Sequence, residues 1–254
     1  MDTTRFEIVK NEFSKFKNSQ YYQNRIKQSK LCPVFREVIS ETLKNNPLTN
    51  RHLTGLIQMF KAEGQKDNWE KYIAGNVQDK DKRKVLTERF FKIGITGYTG
   101  AGKSSISNLS QKQLNHVKTL LEKALSIDNL EDATQLIADY EKQKIPYVKE
   151  GIYSPWLHYI QPQLFPIFNS RAKDFAKWLL GVKDYVDVLA QFNDLKKELG
   201  EEDLGIIDQF IYDFEIPKIE TPSENGESRT PPISNTKLNQ ILYGPPGTGK
   251  TYNT

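Results

Sequence analysis

The phosphate-loop pattern G-x-x-x-x-G-K-[ST] occurs twice in this chain, and the apolar residues around the two copies demand different folds. A working loop of this kind needs a strand before it, a helix after it and a parallel sheet around it. The copy Gly244-Pro245-Pro246-Gly247-Thr248-Gly249-Lys250-Thr251 has the short apolar run Ile241-Leu242-Tyr243 where the strand belongs. The copy Gly97-Tyr98-Thr99-Gly100-Ala101-Gly102-Lys103-Ser104 leads instead into a helical pattern: Leu114, Val117, Leu120, Leu121 and Leu125, then Leu130, Ala133, Leu136, Ile137 and Tyr140. Phe91–Ile95 is apolar enough for a strand, but no alternation of strand and helix follows to build a sheet.

The chemistry of the C-terminal copy follows from its residue types. Its glycines let backbone N–H groups curl towards phosphates. Lys250 reaches the β- and γ-phosphates, and the Thr251 hydroxyl holds Mg²⁺ through the nucleotide, GTP or ATP. A helix starting at Thr251 adds the positive end of its dipole. A P-loop domain also needs further strands, an acidic residue for Mg²⁺ and a residue that positions water. The expectation is therefore the N-terminal part of a longer NTPase, inactive alone.

The stretch ILYGPPGTGKTYNT resembles the opening of the AAA+ module in McrB-like proteins, the nucleotide-hydrolysing subunits of modification-dependent restriction systems. The paired prolines are shared by many AAA+ proteins, and Thr251-Tyr252-Asn253-Thr254 narrows the likeness to McrB-like ones. It covers about the last sixteen residues. The resemblance implies a hexameric GTPase or ATPase that drives an McrC-like nuclease subunit. It also implies a variable N-terminal region that recognises DNA, modified DNA included.

For the upstream copy, Thr99–Lys103 reads as a tight turn into a helix capped by Ser104 or Ser105. Gly-Ala-Gly-Lys resembles the hairpin of helix-hairpin-helix DNA-binding motifs, where backbone N–H groups hold one DNA phosphate. On that reading Gly100, Gly102, Lys103 and Ser104 contact DNA. A purely structural inter-helix turn explains the same residues, and a separate nucleotide site at Gly97–Ser104 is a third reading.

Charge bears on the same question. Residues 1–92 carry about 19 basic and about 11 acidic side chains, and the rest about 17 and about 21. The basic part includes Lys80, Lys82, Arg83 and Lys84, directly before the glycine-rich turn. Such a patch suits nucleic acid, and it equally suits a solvated lysine-rich helical surface. Arg171 is a further candidate for a phosphate or base, with a surface ion pair as its ordinary role. A protein-interaction or scaffold domain without DNA binding stands as the alternative to the DNA reading.

The predicted fold class is mainly α. Residues 1–216 form a helical recognition domain, with two subdomains if a break falls near 93–100 or 145–153. Residues 217–237, rich in Pro, Ser, Thr, Asn and Glu, form a flexible linker. Residues 238–254 hold the truncated first strand and P-loop of an α/β AAA+ module. The apolar spacing predicts one helix from Thr3 to about Ser29, a second from Pro33 to Asn45 and a third capped by Thr49 or Asn50 and closed by Gly64. A further short helix ends near Gly75-Asn76. The pattern breaks at Ile145-Pro146-Tyr147. A short helix with Trp156, Tyr159 and a proline turn follows, then Phe165-Pro166-Ile167 and a helix capped by Asn169 or Ser170. Two last helices carry Val186, Leu189 and Phe192, then Leu204, Ile207, Phe210 and Ile211.

A mean hydropathy of −0.64 and the lack of any long apolar run exclude a membrane span. The N-terminus has no secretory core, and the single cysteine, Cys32, fits a cytoplasmic chain. His52, His116 and His158 show no metal-ligand spacing and read as structural or surface residues.

Overall fold

A computed structural model of the chain describes residues 2–61, 64–94 and 106–217. Among these residues the structure is mainly helical, with no strand. The contacts divide the chain into two units, Met1–Ile216 and Pro217–Thr254. The first contains twelve helices among its described residues: α1 (Thr3–Phe16), α2 (Gln20–Ser29), α3 (Cys32–Leu43), α4 (Asn50–Phe60), α5 (Gln65–Asn76), α6 (Lys80–Ile93), α7 (Gln111–Ser126), α8 (Leu130–Glu141), α9 (Glu150–Ile160), α10 (Ser170–Leu180), α11 (Tyr185–Glu198) and α12 (Leu204–Asp213).

Local chemistry sets most boundaries. Asp2, Ser19, Asp79, Asn129, Asn169 and Asp203 each accept a backbone N–H at the start of the helix they precede. Thr49 with His52, and Ser110 with Gln113, form reciprocal capping boxes. The single helix expected over Thr3–Ser29 is two, because the Ser19 side chain caps Tyr22 N and restarts the chain. Gly64 does not close α4. It stands at φ 63° and opens α5. Asn169, not Ser170, caps α10.

Helix α3 is the hub, packed against α4, α5, α6, α7 and α9. Its Val34, Phe35, Val38 and Ile39 have no exposed surface. The Phe35 ring lies 4.3 Å from Phe60 and 4.5 Å from Tyr159, centroid to centroid. Trp69 stacks on Phe90 at 4.1 Å with parallel planes. Each such side chain contributes about 1.5–3 kcal/mol by burial. Helices α4 and α5 approach closely because Gly55 has no side chain. A Cβ there would stand 2.2 Å from Asn76 Oδ1. The buried Asn76 amide donates to His52 O at 2.8 Å and Thr42 Oγ1 at 3.2 Å, which satisfies its N–H groups inside the pair.

The last helix closes on the first two. Phe210 packs edge-on to Phe13 at 5.1 Å, Lys17 pairs with Glu201 at 3.1 Å, and the Tyr22 hydroxyl donates to Glu201 at 3.1 Å. No helix among the described residues is long and apolar enough to cross a membrane.

Candidate functional site

The C-terminal phosphate loop, Gly244 to Thr251, lies outside the described residues, and so do Gly97, Gly100, Gly102, Lys103 and Ser104. The flanks of the upstream copy are described, and they bear on it. Helix α6 continues through Ile93, so Phe91–Ile93 are helical where a strand was considered, and Gly94 at φ 98° ends it. Downstream, 106–110 is not helical. The cap expected at Ser104 or Ser105 is instead Ser110, where α7 begins. The stretch 106–109 is pinned to α4 by paired hydrogen bonds. Ile106 N donates to Thr54 Oγ1 at 3.0 Å, and that hydroxyl donates to Ile106 O. Leu109 N donates to Asn50 Oδ1 at 3.1 Å, and the Asn50 amide donates back to Leu109 O.

The basic cluster occupies the first turn of α6. Cations there oppose the helix dipole, so helix stability does not select them. Asp79 compensates by accepting from Asp81 N and Lys82 N at 3.0 and 3.1 Å. Those bonds hold its carboxyl below the ordinary range. Lys82 is engaged, its Nζ 2.8 Å from Glu41 Oε1, and Lys44 holds the same carboxylate. Burial works to raise the Glu41 carboxyl, and these two lysines outweigh it and leave it lowered. Lys80, Arg83 and Lys84 have no ion-pair partner among the described residues. Lys80 and Lys84 are exposed and Arg83 is half-buried.

Arg171, exposed in the first turn of α10, is tied to α12. Its guanidinium donates to Tyr212 O at 2.5 Å and lies 5.1 Å over the Tyr212 ring. A phosphate would have to compete with both contacts. Trp156, Tyr159 and Phe165 are buried core.

Sequence reasoning passed over a buried polar cluster that joins α2, α9 and α12. His158, without exposed surface, donates from Nδ1 to Phe165 O at 3.0 Å, so Nε2 accepts from the Arg25 guanidinium at 3.1 Å. Burial lowers His158 to about 4, the Arg25 charge adds to the lowering, and the nearby Asp203 opposes it. The imidazole is therefore neutral, and its 3.8 Å approach to Asp203 is not an ion pair. Asp203 accepts from Ser29 Oγ and, at 2.7 Å, from Gly205 N. Burial pushes its carboxyl up, but the Arg25 guanidinium and these bonds bring it below the ordinary range. Desolvation pushes Asp208 up to about 6, with Arg25 and Asn169 partly offsetting it. Arg25 lies against Gly205, where a Cβ would stand 1.9 Å from the guanidinium. Serine, histidine and aspartate are all present but do not form a nucleophilic triad. Ser29 bonds Asp203 directly, and both His158 nitrogens are engaged. Burial pushes the neighbouring Cys32 thiol up to about 12, which leaves it unreactive at neutral pH.

A pocket of about 540 Å³ opens between α8, the 142–149 loop, α9 and the start of α11. Its floor is apolar: Ile145, Val148 and the buried rings of Tyr140, Tyr153, Phe168 and Tyr185. Glu141, Lys144, Lys149, Lys183 and Asp184 stand around it.

No family model, curated protein or solved structure matches this chain. Function therefore has to be argued from the residues themselves.

Proposed function

We propose that residues 1–216 are the DNA-recognition region of an McrB-like AAA+ GTPase or ATPase. Gly244–Thr251 would hold the phosphates of Mg²⁺-bound nucleotide, with Lys250 on the β- and γ-phosphates and Thr251 on the metal. The full assembly is a homohexamer acting with an McrC-like nuclease in the cytoplasm. The observation that supports the DNA half is the first turn of α6. It gathers Lys80, Arg83 and Lys84 near the end of a helix whose dipole disfavours them, none of them ion-paired among the described residues although Asp79 and Asp81 share that end. Lys82 and Arg171 contribute less, since each already has a protein partner.

The test is duplex binding by the whole chain in a salt titration. Changing Lys80, Arg83 and Lys84 together to Ala should weaken binding to all duplexes alike and flatten the log K against log salt slope by about 2.7. Lys103→Ala tests the glycine-rich turn in the same assay. An unchanged slope in both variants would remove DNA from the reading. Lys250→Ala should abolish binding of Mg²⁺-nucleotide at the C-terminal loop, leaving the DNA slope as it was.

The scaffold alternative draws on Val85 and Phe91, which are 50% and 40% exposed on α6. It predicts that Val85→Ser and Phe91→Ser abolish a protein contact while the salt slope stays put. A separate NTPase built on Gly97–Ser104 needs a strand before the loop, and α6 is helical to Ile93.

A further inference from the structure

The pocket beside α8 combines a fixed apolar floor with polar groups left open around it. Its tyrosine hydroxyls are all committed. Tyr140 donates to Val148 O at 3.2 Å, Tyr185 to Pro166 O at 2.8 Å and Tyr153 to Glu141 Oε1 at 2.8 Å. The floor is therefore a fixed apolar surface. Glu141 Oε2 accepts no hydrogen bond among the described residues. Glu150 is occupied by Lys173. Lys144, Lys149 and Lys183 have no ion-pair partner among the described residues. The helices entering here, α9 and α11, also lack the side-chain caps that α1, α2, α4, α6, α7, α8, α10 and α12 possess.

These groups define a ligand by complement. The lysines call for an anion, the floor for a flat apolar body, and the open oxygen of Glu141 for a hydrogen-bond donor. The volume lies within the range of about 300–1,000 Å³ typical of small-molecule sites. We propose that this pocket binds a nucleoside monophosphate unit, its phosphate at Lys149 and Lys183 and the donor edge of its base at Glu141. The base order follows from edge chemistry. Guanine presents N1–H and N2–H side by side to a carboxylate. Adenine and cytosine present an amine beside one acceptor. Thymine presents its one N–H between two carbonyls, which repel a carboxylate. Burial and the like charges of Glu150, Asp184 and Asp187 keep the Glu141 carboxyl above its ordinary range, a cost that a bound donor relieves. This site is separate from the C-terminal phosphate loop and does not depend on DNA binding at α6.

The experiment is calorimetric titration of the whole chain carrying Lys250→Ala, so that the C-terminal loop is silent, with GMP, AMP, CMP and TMP. The expected result is one site, with GMP tightest and TMP about tenfold weaker or more. Lys149→Ala with Lys183→Ala, both on exposed side chains, should lower affinity for all four by about tenfold. Glu141→Gln should erase the preference over TMP while circular dichroism stays unchanged. A short single-stranded oligonucleotide distinguishes the source. If it outcompetes the monomers and Glu141→Gln weakens it, the unit belongs to a strand. If monomers bind as well or better, it is a free nucleotide. No saturable binding at millimolar monomer or oligonucleotide, or binding indifferent to Glu141, Lys149 and Lys183, overturns the proposal. Either result leaves the α6 salt slope as a separate question.

Discussion

The two interiors of the helical unit are built on opposite principles. Around Phe35, helices α3 to α6 and α9 meet through rings and aliphatic side chains, and the environment of Trp69 is apolar apart from its indole N–H, which donates to Thr87 Oγ1 at 3.1 Å. Around Arg25, helices α2, α9 and α12 meet through a cation, two carboxylates, a neutral imidazole and a glycine. The first holds its buried Glu41 at the edge against Lys44 and Lys82, and its stability scales mainly with volume. The second buries apolar side chains too, Leu204, Ile207 and Phe210 among them, but adds a desolvated Arg25 that hydrogen-bonds His158 and Gln28 and is balanced through space by Asp203 and Asp208. Burying an ion pair is not in itself stabilising, but removing one member leaves the other without compensation.

The widest separation between the two should come from substitutions that add or remove one group. Gly205→Val drives a side chain into the Arg25 guanidinium and should cost about 3–5 kcal/mol in urea denaturation, the scale of leaving a buried charge uncompensated. Trp69→Ala should cost about 3–5 kcal/mol by a different route, cavity and lost stacking against Phe90. The distinguishing measurement is rescue. Arg25→Met combined with Asp203→Asn should recover much of the loss seen with Arg25→Met alone. No second substitution near Trp69 recovers Trp69→Ala without refilling the volume. If the double variant is as unstable as the single, the polar interior is not governed by charge pairing.

Next in size is the pH dependence, largest in the polar interior, with His52 on α4, lowered by burial, contributing a rise of stability with pH in the other. His158 titrates near 4 when folded and near 6.5 when unfolded. Between those values the unfolded chain binds more protons, so His158 makes stability rise with pH. Asp208 titrates near 6 folded and about 3.9 unfolded. There the folded chain binds more protons, so Asp208 makes stability fall as pH rises. From about pH 4 to pH 6 the two slopes oppose and nearly cancel. Asp208→Asn should unmask a rise of up to about 1.4 kcal/mol per pH unit, and His158→Gln a fall of similar steepness. Flat profiles in both variants would mean that neither group is buried as described. Asp203, whose folded value is lowered, adds stability at neutral pH that is lost only as pH drops through that value.

The smallest effect belongs to the ion pairs between α3 and α6. Glu41 is buried, but its partner Lys44 is exposed and Lys82 half-buried, so Glu41→Gln returns both lysines to water and should change the melting temperature only slightly. It should strengthen DNA binding by a few-fold, because the α6 patch gains an unpaired cation. No gain would place Lys82 outside any DNA contact.

Much of the apolar interior was legible in the chain, because helical periodicity is a local signal. Val9, Phe13 and Phe16, and Leu114, Val117, Leu120 and Leu121, are buried as their spacing requires. Thr49 and Asn169 cap the helices they precede because a cap needs only its own side chain and the next three residues. Serines made the other boundaries ambiguous. Ser14, Ser19, Ser29, Ser104, Ser105 and Ser110 look alike in sequence, and only the neighbouring packing decides which one starts a helix. The polar interior was not legible, since Arg25, His158 and Asp203 are separated by most of the chain and carry no common spacing. The pocket was equally hidden. Its residues span Tyr140 to Tyr185, and each alone reads as a core ring or a surface charge.

The closure of α12 on α1 and α2 has a consequence in time. A ribosome delivers Val9, Phe13, Phe16 and Arg25 first, and their partners Glu201, Gly205 and Phe210 arrive at the far end of the unit. At about 5–20 residues per second, that wait is roughly 10–40 s. Helices α3 to α6 can assemble around Phe35 in the meantime, since Phe60, Trp69 and Phe90 are near it in sequence, and Tyr159 of α9 joins them well before α12 emerges. The first two cannot, and their apolar faces stay open until α12 emerges. The two nascent N-terminal helices are thus the stretch of this chain with most to gain from a chaperone.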